Sequence, residues 1–87
     1  MKANFLTADA PQRRLIVVAT AHVVHELNES QLSQTWLELR EKMKTPDPDN
    51  PNLWTVIIEG RKLWGILDEG AGPHGEDVFT ILFPEDY

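Results

Sequence analysis

The stretch that most constrains the fold is residues 53–67, where two apolar runs flank the polar residues at 59–62. Each run carries one tryptophan and several β-branched or large apolar side chains. Short runs of this kind, separated by a polar segment that contains glycine, are typical of a β-hairpin. The sequence therefore predicts two antiparallel strands, 53–58 and 62–67, at the centre of the fold.

The register of this hairpin is left open by the sequence. A two- or four-residue turn places on one face Trp54, Val56, Ile58, Leu63 and Leu67. The opposite face then carries Thr55, Ile57, Trp64 and Ile66. A three-residue turn would instead bring Trp64 to the face of Trp54. Because both faces are apolar in every register, a single helix can cover only one of them. The second face must meet the N-terminal segment, a second subunit or a ligand.

One amphipathic helix is predicted over residues 29–44. Asn28 is a suitable N-cap, and Gln31 three residues later can complete a capping box. An apolar stripe follows at spacings of four, three and four, formed by Leu32, Trp36, Leu39 and Met43. Leu37 lies off this stripe. Pro46 ends the helix, and the proline-rich residues 44–52 are predicted to have no regular structure.

Two further strands are predicted on either side of these elements. The β-branched run in residues 13–20 is apolar on both faces, so we expect a strand inside the sheet or covered on both sides. It either continues through Val24 or gives way to a helix that begins near Ala21. Residues 78–83 form the last strand, which Pro84 ends.

These elements predict a single α+β domain over residues 1–87, in the order strand, helix, strand, strand, strand. The helix packs on an antiparallel sheet, and the first strand joins that sheet at an edge or beside the second strand. We expect residues 1–12 to be loosely ordered and residues 85–87 to form a short acidic tail.

The composition is that of an ordinary globular domain, with 41% hydrophobic and 25% charged residues. The absence of cysteine excludes a disulfide scaffold, a thiolate zinc site and a cysteine nucleophile. The first residues lack the apolar core of a signal peptide, and no apolar run approaches the roughly 20 residues of a membrane helix. We therefore expect a cytoplasmic protein that does not bind membranes.

The net charge of −6 is concentrated at one end of the chain. Residues 68–87 contain six acidic side chains and no lysine or arginine, whereas the rest of the chain is neutral. Such a segment repels nucleic acids and anionic membranes but attracts a basic surface. We therefore expect a protein partner with a basic patch, and no nucleic acid.

Two motifs suggest specific chemistry. Residues 70–75 match G-x-G-x-x-G, but a strand rather than a helix follows, so a nucleotide site is not predicted. His22 and His25 could share a metal ion if they lie on a helix, with His74 and nearby carboxylates completing the site. The acidic loop around these glycines could also hold a divalent cation. We expect no cofactor.

No nucleophile with a base beside it can be identified, because the two serines, Ser30 and Ser33, lie at the start of the predicted helix. Tryptophans on a two-faced apolar hairpin favour binding over catalysis. The candidate interaction surface consists of Trp54, Arg61, Lys62, Trp64, Asp68, Glu69, Glu76 and Asp77.

Three hypotheses follow from the sequence. The leading one is a small, acidic, non-catalytic interaction or regulatory module, which could form a homodimer. The first alternative is a small metal- or ligand-binding, enzyme-like domain that uses His22, His25, His74 and nearby carboxylates. The second alternative is an antitoxin-like partner of a basic protein.

Overall fold

The computed structural model describes residues 14–87, so the expectation for residues 1–12 lies outside the described part of the chain. The architecture is α+β, as predicted. The elements in chain order are β1 (Leu15–Ala19), α1 (Ala21–Glu26), α2 (Glu29–Lys42), β2 (Leu53–Ile58), β3 (Arg61–Asp68), β4 (Asp77–Leu82) and a 3-10 helix (Pro84–Asp86). The four strands form one sheet in the order β1-β4-β3-β2.

The hairpin of β2 and β3 has a two-residue turn, because Ile58 pairs with Arg61. Glu59 and Gly60 both have positive φ, 50° and 81°, which is what a type I′ turn requires. This turn places Trp54 and Trp64 on opposite faces of the sheet. The register is one of those that the sequence left open, and the three-residue turn is excluded.

The first strand differs from its prediction in direction and position. β1 runs parallel to β4, whereas β4, β3 and β2 are antiparallel, so the sheet is mixed. The edge position is confirmed, but the alternative beside β2 is wrong. The expectation of an interior strand is also wrong within the described residues. The backbone bonds at both ends of β1 go to β4: the amide of Asp77 donates to the carbonyl of Arg14, and the amide of Thr20 donates to the carbonyl of Ile81. β1 therefore runs along β4 in the same direction and lies at the edge of the sheet.

A second helix replaces the extension of β1. The competing prediction of a helix near Ala21 is confirmed, and a strand through Val24 is wrong. Thr20 caps this helix, because its side-chain oxygen accepts a hydrogen bond from the amide of Val23 at 3.3 Å. His22 and His25 therefore lie on a helix.

The long helix α2 forms much as the sequence predicts. Asn28 accepts a bond from the amide of Gln31 at 2.8 Å, and the Gln31 side chain accepts from the amide of Asn28 at 2.9 Å. The helix ends at Lys42, two residues before the predicted end, and Met43 is the C-cap. The predicted apolar stripe packs on the core, and Leu37 is exposed. Thr35 is buried without destabilising the core, since its hydroxyl donates to the carbonyl of Gln31 at 2.7 Å.

The core lies between the two helices and one face of the sheet. Phe79 is fully buried at its centre, with its ring 5.5 Å from that of Trp36 and 6.0 Å from that of Trp54. Gly65, on the neighbouring strand, leaves the space that the Phe79 ring fills. Both α-helices thus cover one face of the sheet. Across residues 14–87, neither helix is long and apolar enough to cross a membrane.

Candidate interaction surface

The second face of the sheet, called the open face here, points away from both α-helices. Strand alternation and the observed pairing assign to it Ile16, Val18, Leu53, Thr55, Ile57, Lys62, Trp64, Ile66, Asp68, Val78, Thr80 and Leu82. Ile57 is 63% exposed and Val18 is 41% exposed, most of the others are half-buried, and Leu82 is buried. The open face is therefore a largely apolar surface that the helical layer leaves uncovered.

A hollow of about 410 Å³ lies on the open face. Its apolar lining comes from Leu53, Trp64 and Ile66, and residues 49–52 and Tyr87 complete the lining. The ring of Tyr87 meets that of Trp64 edge-on at 5.9 Å and is itself 86% exposed. This volume falls in the range of roughly 300–1,000 Å³ that protein ligand sites occupy. The hollow can thus accept one or two apolar side chains.

Charged residues lie at both ends of β3 on this face. Lys62 is exposed at its start, and Asp68 is exposed at its end, where Glu69 follows in the turn. Together with Trp64, these residues form the part of the sequence-predicted surface that the fold brings to the open face or its border. The face is apolar in the middle and charged at the rim, which is the usual arrangement of a protein interface.

Two of the sequence-predicted residues lie on the opposite face. Trp54 is 7% exposed and packs in the core, so it is not part of the open face. Arg61 lies above the ring of Phe83, with its guanidinium carbon 4.2 Å from the ring centroid. It also forms an ion pair with Glu26 at 3.0 Å. The two-residue turn places both side chains on the face of the sheet that the helices cover.

Two carboxylates, one in the acidic loop between β3 and β4 and one at the start of β4, accept bonds from amides of that loop. Glu76 accepts a bond from the amide of His74 at 2.8 Å, and Asp77 accepts one from the amide of Gly70 at 2.9 Å. Carboxylates that bond to loop amides are less available to a cation or to a partner. The strand β4 follows this loop directly, as expected, so the glycine motif lacks the helix that a dinucleotide site needs.

The three histidines do not converge. No group of three or more potential metal ligands occurs within residues 14–87. His22 instead donates through Nδ1 to Oδ1 of Asp86 at 2.8 Å, and its ring packs against Phe83. The two histidines of α1 therefore have no third ligand from His74, because the fold places His74 in the β3–β4 loop.

Asp86 is a residue whose role the sequence did not reveal. Its Oδ2 accepts a bond from the hydroxyl of Thr20 at 3.0 Å and one from the amide of Phe83 at 3.3 Å. Burial acts to raise the pKa of Asp86, but the bonds from His22, Thr20 and Phe83 outweigh it and hold the pKa below its usual value. The predicted tail at 85–87 is thus partly a 3-10 helix that these bonds tie to the start of α1.

Comparisons with protein-family models, with curated proteins and with solved structures found no match to this chain.

Proposed function

We propose that this domain is a non-catalytic interaction or regulatory module that binds a protein partner through the open face. The observation that carries the proposal is the apolar hollow around Trp64 on a sheet face that both α-helices leave uncovered. Soluble domains rarely expose a large contiguous apolar surface without a partner for it. Tryptophan at the centre of such a surface is a frequent hot spot of binding energy.

The charge distribution supports a basic partner. The six acidic side chains of residues 68–87 include Asp68 on the open face and Glu69 beside it, and both are exposed. Opposite charge on a partner would speed encounter and favour the correct orientation. The same charge disfavours nucleic acids. An antitoxin-like role, in which the domain binds a basic protein, is the specific form of this proposal that the charge favours.

No observation among residues 14–87 favours the metal-dependent, enzyme-like alternative. His22, on α1, bonds to Asp86, whereas His74 lies in the β3–β4 loop. His22 is better explained as a structural residue at the start of α1, where its ring bonds to Asp86 and packs against Phe83.

The test compares Trp64→Ala with Leu37→Ala in the full chain. Leu37 is a matched control, because it is an exposed apolar residue on the helical side of the molecule. Each variant is used to capture proteins from the native host. Any protein that the wild type retains is then purified, and its affinity is measured by calorimetry. We expect Trp64→Ala to weaken binding by ~30-fold, as the loss of a hot spot does, and Leu37→Ala to leave it unchanged.

Circular dichroism of both variants shows whether the fold is retained. Equal affinity of a folded Trp64→Ala variant and the wild type would refute the open face as the binding site. An affinity that falls with added salt would support a basic partner. An affinity that does not change with salt would refute a basic partner.

A further inference from the structure

The outer edge of β1 is a second surface that the fold leaves without a partner strand among residues 14–87. On the side of β1 that faces β4, the carbonyl of Arg14 accepts a hydrogen bond from the amide of Asp77, and the amide of Thr20 donates one to the carbonyl of Ile81. Backbone groups alternate in direction along a strand. The amides and carbonyls of Leu15, Val17 and Ala19 therefore point outward from the sheet.

This edge lacks the features that normally prevent strand pairing. Its five residues are Leu-Ile-Val-Val-Ala, with no charge and no proline. Leu15, Val17 and Val18 are each about 40% exposed. Edge strands of soluble proteins are usually protected by lysine, proline, a bulge or a covering segment. An apolar edge of this kind is suited to pair with another strand.

We propose that the occupant of this edge is the β1 strand of a second copy of the chain, paired antiparallel about Val17. In this arrangement Val17 of each copy faces Val17 of the other, and Leu15 faces Ala19. All three residues have their backbone groups directed outward, so the two strands present matching donors and acceptors. The pairing closes both edges at once and makes one eight-stranded sheet.

Charge complementarity supports a second copy. Arg14 of each copy would lie opposite Thr20 of the other, and the hydroxyl of Thr20 is bonded to Asp86 at 3.0 Å. The arginine at the start of one strand thus approaches the acidic 3-10 helix at the end of the other. Such reciprocal pairs favour the antiparallel orientation over the parallel one.

The opposite edge of the sheet, β2, is less suited to self-pairing. The outward amide of Leu53 already donates to the carbonyl of Asn50 at 3.2 Å. Asp47 and Asp49 flank this edge, and Glu59 is exposed at its other end. Two copies paired here would bring like charges together, so the observations favour β1.

The inference is independent of the proposed function, because it rests on Val17 rather than on Trp64. Pairing through five-residue strands buries less surface than the roughly 1,200 Å² of a stable interface. We therefore expect a reversible dimer whose dissociation constant is on the order of micromolar. In this dimer the open faces of both copies lie on the same side of the sheet.

The experiment measures the mass of the full chain by sedimentation equilibrium over a wide range of concentrations. We expect the wild-type mass to rise toward twice the 9.9 kDa of one chain. Val17→Lys should remain at the mass of one chain at every concentration. Val24→Lys is the matched control, because Val24 is an exposed valine on α1, and it should dimerise as the wild type does.

A second variant tests the backbone bonds themselves. Val17→Pro removes an outward amide without removing a bond to β4, and we expect it to be a folded monomer. A wild type that stays at the mass of one chain would overturn the proposal, as would a dimer that survives both substitutions. Hydrogen exchange adds a further check, because protection of the Val17 amide should increase with concentration. Protection that is independent of concentration would mean that another part of the same chain covers the edge, and would also overturn the proposal.

Discussion

Gly65→Ala is the substitution that should most directly test the packing between the sheet and the helices. A Cβ at this position would lie well inside van der Waals contact of the Phe79 ring, at 2.8 Å from Cε2, and 3.1 Å from Cδ2 of Leu39. Phe79 is fully buried and is held between the rings of Trp36 and Trp54. The ring therefore has no free space into which it can move.

The expected change in the free energy of unfolding is the balance of two effects. Replacing a glycine by alanine normally stabilises a protein by about 0.4–1 kcal/mol where the site has room, because the unfolded chain loses freedom. Overpacking a filled core costs about 1–3 kcal/mol. Since Gly65 has no room for a methyl group, we expect a net loss of about 1–2 kcal/mol. For a domain of this size, such a loss lowers the melting temperature by about 5–15 °C.

Urea denaturation of four proteins measures this effect: the wild type, Gly65→Ala, Phe79→Leu and the double variant. Phe79→Leu alone should destabilise the fold, because it leaves a cavity. In the double variant the smaller side chain gives the new methyl group space. Its loss of stability should therefore be smaller than the sum of the two single losses by about 1 kcal/mol or more. If Gly65→Ala is not destabilising, or if the two costs simply add, the close contact inferred between Gly65 and Phe79 is refuted.

Two further predictions concern single polar groups. Nε1 of Trp54 is buried and has no hydrogen-bond partner among residues 14–87. Trp54→Phe removes this unpaired donor, so we expect urea denaturation to show a change within about 1 kcal/mol, well below the roughly 3–5 kcal/mol of a truncation to alanine. The fold lowers the pKa of Asp86 from its ordinary 3.8. The bonds to Asp86 therefore stabilise the protein above this pH, and the stabilisation is lost as the pH falls through the lowered pKa. Asp86→Asn should flatten the acid side of a plot of unfolding free energy against pH, and an unchanged slope would contradict this account.

The parts of the fold that local sequence patterns specify could be predicted. The capping box at Asn28 and the stripe through Trp36 and Leu39 define α2 within two residues at its end. The hairpin was also predictable, because both strands and the turn lie within sixteen consecutive residues. The register of the hairpin could not be predicted. It depends on a two-residue turn in which Glu59 has a positive φ, and glutamate is not among the residues that such turns prefer.

The parts that depend on distant contacts could not be predicted. The parallel pairing of β1 joins residues about sixty positions apart, and an apolar run carries no information on the direction of its partner. The apolar character of both faces suggested an interior strand, but the same pattern also occurs in an edge strand, as it does in β1. The bond between His22 and Asp86 spans 64 positions and has no local signature. For the candidate surface, the sequence indicated the tryptophans but could not say that Trp54 and Trp64 face opposite sides.

The two proposals together describe a dimer with two open faces on one side of a continuous sheet. A partner with two matching segments would bind such a dimer more tightly than it binds a single copy, because the second contact forms at a high effective concentration. Val17→Lys and Trp64→Ala would then weaken binding for different reasons. The first should reduce the affinity for a bivalent partner and leave the affinity for a single segment unchanged, whereas the second should reduce both. A comparison of the two variants against one-segment and two-segment partners therefore separates the loss of a contact from the loss of bivalency.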